Sequence, residues 1–265
     1  MENKKIDEDF KKILVYNITP GINDDLSILI TDYIEKNDIM KDLGKYEVAL
    51  RNAGNSANVI AHRMERKEVF RDSQELLKIY DANEVRPDLR QALMLKINNS
   101  PLTNQIYDLL SSKNYQNSAR EDYYKNFESV FFQEYNSSYS SNAIKTCGFK
   151  HIYFGETRGF RFTGLHNWQR FFYLEQTGII HKANVRNYKR TIADLSFYHN
   201  DDFKNRSTIF FGIDLILEMN IFYIAFLLSP AGRNFNLYLS QKHHEITSYP
   251  SATNDKALAT AYFKL

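Results

Sequence analysis

The first half of the chain places apolar residues at the spacing of α-helices. The range 24–35 predicts an amphipathic helix, because its apolar residues recur every third or fourth position. These residues are Leu26, Leu29, Ile30 and Tyr33. Pro87 predicts the start of another helix, since proline is favoured at the first helical position. Ser118 and Glu121 have the spacing of a capping box, which predicts the start of a third helix.

The pattern changes after a Ser/Asn/Tyr-rich segment at 136–141, which predicts a loop. Residues 149–154 then alternate in the manner of a β-strand. This strand would place His151 and Tyr153 on one face and Lys150 on the other. The sequence therefore predicts a histidine that projects from a strand near the middle of the chain.

Helical spacing returns over the range 166–176, which is closed by Gly178, a residue favoured just beyond a helix end. His166 would then lie at or near the N-terminus of this helix. Unpaired backbone N–H groups at that end disfavour a positive charge, so we expect a lowered pKa for His166. A histidine that is neutral at pH 7 suits a general base.

The last third of the chain predicts strands around one strongly apolar helix. The range 208–211 predicts a strand, and Asp214 predicts the N-cap of the helix that follows. Three further strands are predicted in an antiparallel sheet, at 235–240, 243–249 and 258–263.

Together these elements predict an α+β fold in one domain over residues 8–265. Helices would dominate 8–135, and 145–265 would combine two small antiparallel sheets with packed helices. The length of 265 residues and the hydrophobic content of 43% suit a sizeable core. The longest apolar region, 209–228, is interrupted by acidic and amide side chains. We therefore interpret it as a buried helix and expect no membrane span.

Charge and cysteine content narrow the classes of function. The net charge of +2 is too small to indicate non-specific binding to nucleic acid, so such a partner must be argued from a site. The single cysteine, Cys147, excludes an internal disulfide and is interpreted as an unreactive buried thiol. The polar start of the chain favours a cytosolic setting, and secretion after removal of a signal peptide is the alternative.

Candidate chemistry centres on two glycine-bounded segments, GFKHIYFGE at 148–156 and GLHNW at 164–168. Each contains one histidine, His151 or His166, and histidine exchanges protons near neutral pH. Two histidines that face one substrate can act as an acid–base pair. The spacing alone is weak evidence in a chain with seven histidines. The others considered, interpreted as surface or structural residues, are His181, His199, His243 and His244.

Both segments resemble the paired histidine motifs of the EndoU (XendoU-like) endoribonucleases, which usually read GFEHVFVGE and GFHNW. Further similar segments follow in the same order, with DFK at 202–204, HEITSY at 244–249 and ATAY at 259–262. Upstream, NSA at 55–57 and VF at 69–70 are loosely similar to another family segment. The resemblance spans most of the chain and is specific in its C-terminal half.

The resemblance implies an endoribonuclease that cuts single-stranded RNA, preferentially at uridines. The 2′-hydroxyl would attack phosphorus, leaving a 2′,3′-cyclic phosphate and a 5′-hydroxyl. His151 would be the general acid, His166 the general base and Lys204 the cation that faces the phosphate. Lys204 is singled out by its place before a predicted strand, and Lys189 and Arg190 are neighbouring competitors.

Two more residues fall where the family places substrate contacts. Tyr262 would pack on the ribose or base, and Thr247 would hydrogen-bond to the base or phosphate. A strand Thr or Tyr is otherwise mostly a structural choice. Discrimination of uracil from cytosine needs hydrogen bonds to the base edge, because stacking does not distinguish them.

Two departures from the family pattern concern charge. Lys150 replaces the glutamate that usually precedes the first histidine, and a lysine lowers the pKa of a nearby histidine. Ile216 replaces an acidic residue, whereas Glu218 is retained. The resemblance implies stimulation by Mn²⁺ or Ca²⁺, but the spacing of residues assembles no metal site and indicates no oligomeric state.

These departures leave two alternatives to an active endoribonuclease. The first is a catalytically weak EndoU-fold module that binds RNA or a protein, an idea motivated by Lys150. The second is an unrelated α+β binding module. The retained His151, His166 and Lys204 argue against the first, and the order of several similar motifs argues against the second.

Overall fold

A computed structural model describes residues 21–37, 39, 86–139, 143–229, 233–239 and 242–265. The similar segments at 55–57 and 69–70 lie outside these residues. Four described helices precede the first histidine segment. They are α1 (Ile22–Lys36), α2 (Pro87–Asn98), α3 (Pro101–Ser112) and α4 (Arg120–Phe132). The helices predicted at 24–35 and from Pro87 are thus confirmed, and α3 was not predicted.

The predicted capping box at the start of α4 is wrong. The N-cap of α4 is Ala119, and among the described residues no side chain hydrogen-bonds to that cap. The Ser118 hydroxyl instead accepts a hydrogen bond from the Gln116 amide in the preceding turn. The helix itself begins where the sequence indicated, because its apolar stripe still packs inward.

The described strands form four antiparallel sheets. Two of these sheets are two-stranded ribbons, which were not predicted from the sequence. In one, β1 (Tyr135–Asn136) pairs with β2 (Lys145–Thr146), and in the other, β3 (Glu156–Arg158) pairs with β4 (Arg161–Thr163). Strand β1 also takes the first residue of the loop predicted at 136–141.

Two larger sheets of three strands match the two small sheets predicted. The central sheet contains β5 (Ile180–Lys189), β6 (Ile192–His199) and β7 (Asp202–Phe210), with β6 in the middle. The C-terminal sheet contains β8 (Asn234–Leu239), β9 (Lys242–Ser251) and β10 (Asn254–Phe263), with β9 in the middle. The strand predicted at 208–211 is only the end of β7, and β5 and β6 were not predicted.

The strand predicted at 149–154 is a π-helical turn, Lys150–Phe154. Four consecutive side chains, from His151 to Phe154, are buried, which a half-exposed strand does not allow. The Phe149 ring packs on the Tyr153 and Phe154 rings, with centroids 4.7 and 5.9 Å apart. These contacts at intervals of four and five residues show that the aromatic spacing was helical rather than alternating.

The structure has two hydrophobic cores, and the first histidine segment packs in the larger and the second in the smaller. The larger contains helices α1 to α4, the apolar helix α6 (Leu215–Leu228) and the inner face of the C-terminal sheet. The smaller packs α5 (Trp168–Gln176) against the central sheet. Asp214 caps α6 as predicted, because its carboxylate accepts from the Leu217 amide at 2.8 Å. None of the described helices is long and apolar enough to span a bilayer.

Candidate active site

Gly164 brings the two histidine segments into contact. Its backbone has a φ of 74°, and a Cβ there would collide with the carbonyl oxygen of His151. Beyond this glycine, the Leu165 amide donates to the His151 carbonyl at 2.9 Å and the His166 amide donates to the Ile152 carbonyl at 2.6 Å. The loop therefore hydrogen-bonds directly to the π-helical turn, and the two imidazole centroids lie 6.3 Å apart.

A buried carboxylate holds the first histidine. The Nδ1 atom of His151 lies 2.9 Å from Oε1 of Glu156, whose side chain is only 1% exposed. Thr146 donates its hydroxyl to the other carboxylate oxygen, and Arg158 donates Nε to Oε1 at 2.8 Å. Because Nδ1 faces the carboxylate, Nε2 is the nitrogen of His151 that is left for a substrate.

The Glu156 carboxylate partly offsets the effect of burial on His151. Burial lowers the pKa of His151 below its ordinary value of 6.5, while the hydrogen bond and charge of Glu156 act to raise it. The charges of Arg158 and Lys204 lower it further. Burial raises the pKa of Glu156, but the hydrogen bonds and charges around it outweigh that effect and bring it down to about 2. Glu156 is therefore an anion at neutral pH.

A backbone carbonyl holds the second histidine. The Nδ1 atom of His166 lies 3.0 Å from the carbonyl oxygen of Thr208, so Nδ1 carries the hydrogen and Nε2 carries the lone pair. Burial, with the charges of Lys204 and His151, lowers the pKa of His166 to about 3. The predicted direction is correct, but the cause is burial and neighbouring charge rather than a helix end. His166 precedes the N-cap of α5, Asn167.

Lys204 supplies a cation to both histidines. It lies inside β7, not before the strand as the sequence suggested, and its Nζ is 5.9 Å from the centre of the Phe162 ring. Burial lowers the pKa of Lys204 to about 8, and the charge of Asp202 opposes this. Its own charge lowers the pKa of each histidine, which places the three groups in one electrostatic site.

The C-terminal sheet brings one of the two predicted substrate contacts to the histidines. The Tyr262 ring stacks on the His166 ring, with centroids 5.5 Å apart and an interplanar angle of 24°. Thr247 lies directly opposite Tyr262 in the β9–β10 pair. Its side chain is fully buried, and its hydroxyl donates to Oδ1 of Asn234 at 3.0 Å. Thr247 is thus engaged within the protein, one strand away from the histidines.

A buried polar connection links the second histidine segment to α6. The Oδ1 atom of Asn167 accepts from the Arg170 amide, and Nδ2 donates to Oε2 of Glu218 at 3.0 Å. Burial raises the pKa of Glu218 to about 8, so its carboxyl group is protonated at neutral pH. This pair anchors the residue next to His166 to the larger core.

The described residues do not fit a site for Mn²⁺ or Ca²⁺. No group of three or more His, Cys, Asp or Glu side chains in the described ranges could hold a metal ion. Hydrogen-bond donors already occupy Glu156, and Glu218 is protonated and buried. Lys150 stands where the family pattern has a carboxylate. Its charge is not among those that lower the pKa of His151.

The remaining histidines among the described residues pack against rings or amides. His199 stacks on Phe162 with centroids 3.9 Å apart, and His181 stacks on Tyr198 at 5.5 Å. His243 bonds to the Asn236 side chain, and His244 lies on the Phe210 ring. Cys147 is buried, as predicted.

Three residues that support the site were not predicted from the sequence, although all three lie inside the similar motifs. Glu156 ends the first motif, and Asn167 follows the histidine in the second. Asp202 precedes Lys204 by two residues, and its carboxylate accepts a hydrogen bond from the Phe162 amide. Their presence in the similar motifs was the available signal for all three residues.

Comparison with known proteins gives consistent results. The family model described as Endoribonuclease XendoU matches residues 78–263. The Poly(U)-specific endoribonuclease-B of Xenopus laevis is 29% identical over 134 residues, which are 47% of this chain and 46% of that protein. The Uridylate-specific endoribonuclease B of Danio rerio is 30% identical over 141 residues, 46% of this chain and 49% of that protein. The chain spans about half the length of the curated relatives it matches.

A solved structure supports the fold. It is described as "The structure of XendoU: a splicing independent snoRNA processing endoribonuclease". The TM-score is 0.59 at 23% identity, and the match covers 74% of this chain and 76% of that chain. The similarity confirms the α+β architecture predicted from the sequence.

Proposed function

Because the chain belongs to the XendoU endoribonuclease family, we propose that it cleaves single-stranded RNA, preferentially at uridines, and leaves 2′,3′-cyclic phosphate and 5′-hydroxyl ends. The observation that carries the proposal is the pair of imidazoles with centroids 6.3 Å apart. Each has its Nδ1 engaged by the protein, which leaves Nε2 for a substrate. A phosphodiester placed between them would meet a base on one side and an acid on the other.

His166 is proposed as the general base. Its lowered pKa keeps the ring neutral at pH 7, and its hydrogen bond to the Thr208 carbonyl leaves the lone pair on Nε2. Nε2 would take the proton of the 2′-hydroxyl as the 2′-oxygen bonds to phosphorus. The attacking group comes from the RNA, so no protein nucleophile is required.

His151 is proposed as the general acid. The bond from phosphorus to the 5′-oxygen breaks, and His151 would donate its Nε2 proton to that oxygen. Glu156 supports the protonated form through the Nδ1 hydrogen bond. A bound phosphate carries negative charge, which would also favour the imidazolium and oppose the effect of burial.

Lys204 is proposed to stabilise the charge that develops on the non-bridging oxygens during this displacement. A compact ammonium group suits this position. Tyr262, stacked on His166, is proposed to pack on the ribose or base of the uridine. Thr247 is proposed as an indirect contributor to base recognition, because its hydroxyl fixes the Asn234 amide in the same sheet.

Preference for uridine is supported by the names of the relatives, a poly(U)-specific and a uridylate-specific endoribonuclease. A direct test uses a short single-stranded RNA with one uridine, incubated with Mn²⁺, with Ca²⁺ or with EDTA. We expect one cut at the uridine, with a 2′,3′-cyclic phosphate identified by mass. Since the described residues do not fit a metal site, we expect cleavage to persist in EDTA.

The matched control replaces the single uridine with 2′-deoxyuridine, which lacks the attacking hydroxyl. That RNA should bind and remain uncut. Cleavage of the deoxyuridine substrate, or cleavage by a protein lacking both His151 and His166, would refute the mechanism. Binding without cleavage of any RNA by folded protein would instead favour the binding-module alternative.

A further inference from the structure

Arg206 lies close to the proposed catalytic groups without belonging to them. It is in β7, two residues after Lys204 and two before Thr208, whose carbonyl holds His166. Its side chain is 65% exposed, and Nε lies 3.1 Å from Oδ2 of Asp194. In the described part of the chain its two terminal nitrogens have no protein acceptor. The ion pair therefore fixes the stem of the guanidinium and leaves its outer edge open.

A β-bulge turns Arg206 away from Lys204. In the β6–β7 pair, Phe197 is opposite Lys204 and Leu195 is opposite Ser207, so β7 contains one extra residue between these pairs. Bulges commonly redirect a side chain beside an active site. Lys204 shares the sheet face of Phe197, which packs in the smaller core.

Arg206 reaches Asp194 on the opposite face of the sheet, since Asp194 alternates with the core residue Leu195. Its charge also acts on the phenol of Tyr262, which stacks on His166. The two cations thus flank the edge of β7 from opposite faces.

The central sheet concentrates positive charge around this residue. Residues 180–210 contain six Lys or Arg and three Asp, a net charge of +3, whereas the whole chain carries +2. Arg186 also lies near Asp194, but its Nη1 donates a hydrogen bond to the Asn205 carbonyl at 2.9 Å. Arg206 is therefore the better placed of the two for a ligand.

We propose that Arg206 binds a second phosphate of the RNA, one nucleotide away from the scissile phosphate. The inference rests on the proposed function. Because the side chains of Lys204 and Arg206 leave β7 on opposite faces, one phosphate cannot meet both, and Arg206 is left for a different phosphate of the same RNA strand. A guanidinium matches the geometry of phosphate oxygens, and such contacts set the register of the nucleic acid on the protein. The substrate is then an oligonucleotide, and a dinucleotide makes only part of the contacts.

The test compares Arg206→Gln with the unmodified protein on two substrates. One is the dinucleotide UpA, which has only the scissile phosphate, and the other is a hexanucleotide with one central uridine. We expect the loss of kcat/KM on the hexanucleotide to exceed the loss on UpA by about tenfold, as for removal of one charged hydrogen bond. The dependence of hexanucleotide cleavage on salt should also become shallower.

Arg86→Gln is the matched control, because Arg86 is an exposed arginine paired with Asp88, at the N-cap of a helix that precedes the histidine segments. Arg86→Gln should change neither the ratio of kcat/KM on the two substrates nor the salt dependence of hexanucleotide cleavage. Arg206→Lys keeps the charge and tests the guanidinium if the glutamine variant does not fold. Binding of the hexanucleotide with 2′-deoxyuridine gives a readout that needs no cleavage, and Arg206→Gln should weaken it.

Equal losses on UpA and the hexanucleotide would overturn the inference, because Arg206 would then act at the scissile phosphate or on the fold. Unchanged binding of the deoxyuridine hexanucleotide would overturn it as well. If the unmodified protein cuts neither substrate, the proposed function fails, and the binding measurement still decides the role of Arg206.

Discussion

The two histidines differ in what holds Nδ1. His151 faces a buried carboxylate, Glu156, whereas His166 faces an uncharged backbone carbonyl of Thr208. Both acceptors fix the orientation of the ring and the position of one hydrogen. The carbonyl raises the pKa of His166 through its hydrogen bond alone, whereas the carboxylate raises the pKa of His151 through its hydrogen bond and its negative charge. The group that accepts from Nδ1, rather than the imidazole itself, would therefore distinguish the proposed proton donor from the proposed proton acceptor.

The surrounding charges strengthen this distinction. Burial lowers the pKa of both rings, but only His151 has an anion that opposes the shift. Lys204 lies near both and disfavours the imidazolium at each position. Lys204 disfavours the protonated form of both rings, and only His151 has a carboxylate, Glu156, that favours its protonated form.

The largest expected effect separates the two roles by the leaving group. His151→Ala and His166→Ala should each reduce kcat on RNA by roughly 10²- to 10⁴-fold. A uridine 3′-(4-nitrophenyl phosphate) releases a phenolate that needs no proton, so it should restore activity to His151→Ala only. Release of nitrophenolate can be followed by absorbance. Restoration in His166→Ala instead would reverse the assignment of acid and base.

A second prediction removes the difference between the two acceptors. Glu156→Gln keeps a hydrogen-bonding side chain but loses the charge that favours a protonated His151. We expect kcat on RNA to fall by roughly ten- to a hundredfold, with the alkaline limb of the pH profile moved to lower pH. Glu128→Gln is the control, since Glu128 pairs with Arg90 in the helical part. An unchanged pH profile with reduced kcat would argue that Glu156 acts only on folding.

Local patterns in the sequence predicted most helices because their apolar stripes also face the larger core. The segment 149–154 shows where such patterns mislead. Phe149, Tyr153 and Phe154 are spaced for a helical turn, yet the polar residues between them produced an alternation typical of a strand. The fold buries this segment on all sides, so the segment lacks the contrast between buried and exposed positions on which a periodic pattern depends.

The site was predictable where motifs contain its residues and not where the fold assembles them. His151 and His166 come from short segments, and their closeness follows from the turn at Gly164. The acceptor of His166 is a carbonyl 42 residues away, which any residue type would provide. No property of the Thr208 side chain could therefore have indicated it.

A third prediction concerns the cation shared by the histidines. The pKa of Lys204 is lowered to about 8, so its charge is lost as pH rises through that value. We expect a further fall in kcat/KM above about pH 8 for this reason, in addition to the loss that follows deprotonation of His151 at lower pH. Asp202 raises the pKa of Lys204, so Asp202→Asn should move this limb to lower pH and reduce kcat/KM several-fold at pH 8.

At pH 6 the Asp202→Asn variant should approach the unmodified protein, because Lys204 is protonated in both. The measurement is kcat/KM on the single-uridine RNA from pH 5 to 9. An equal loss at all pH values would show that Asp202 acts through its hydrogen bond to the Phe162 amide and not through the charge of Lys204.

The smallest effect on activity is expected at Glu218, which supports the His166 side of the comparison through Asn167. Its pKa is 4.5 in an exposed chain and about 8 in the fold, so folded protein holds a proton that unfolded protein releases between these values. Stability from this group is present at low pH and declines as pH rises through that window. Glu218→Gln should therefore raise the free energy of unfolding by roughly 1–3 kcal/mol at pH 7 and change it little at pH 4. Thermal unfolding at both pH values measures this, and an equal gain at pH 4 and pH 7 would show that improved packing, rather than the removed ionisation, stabilises the variant.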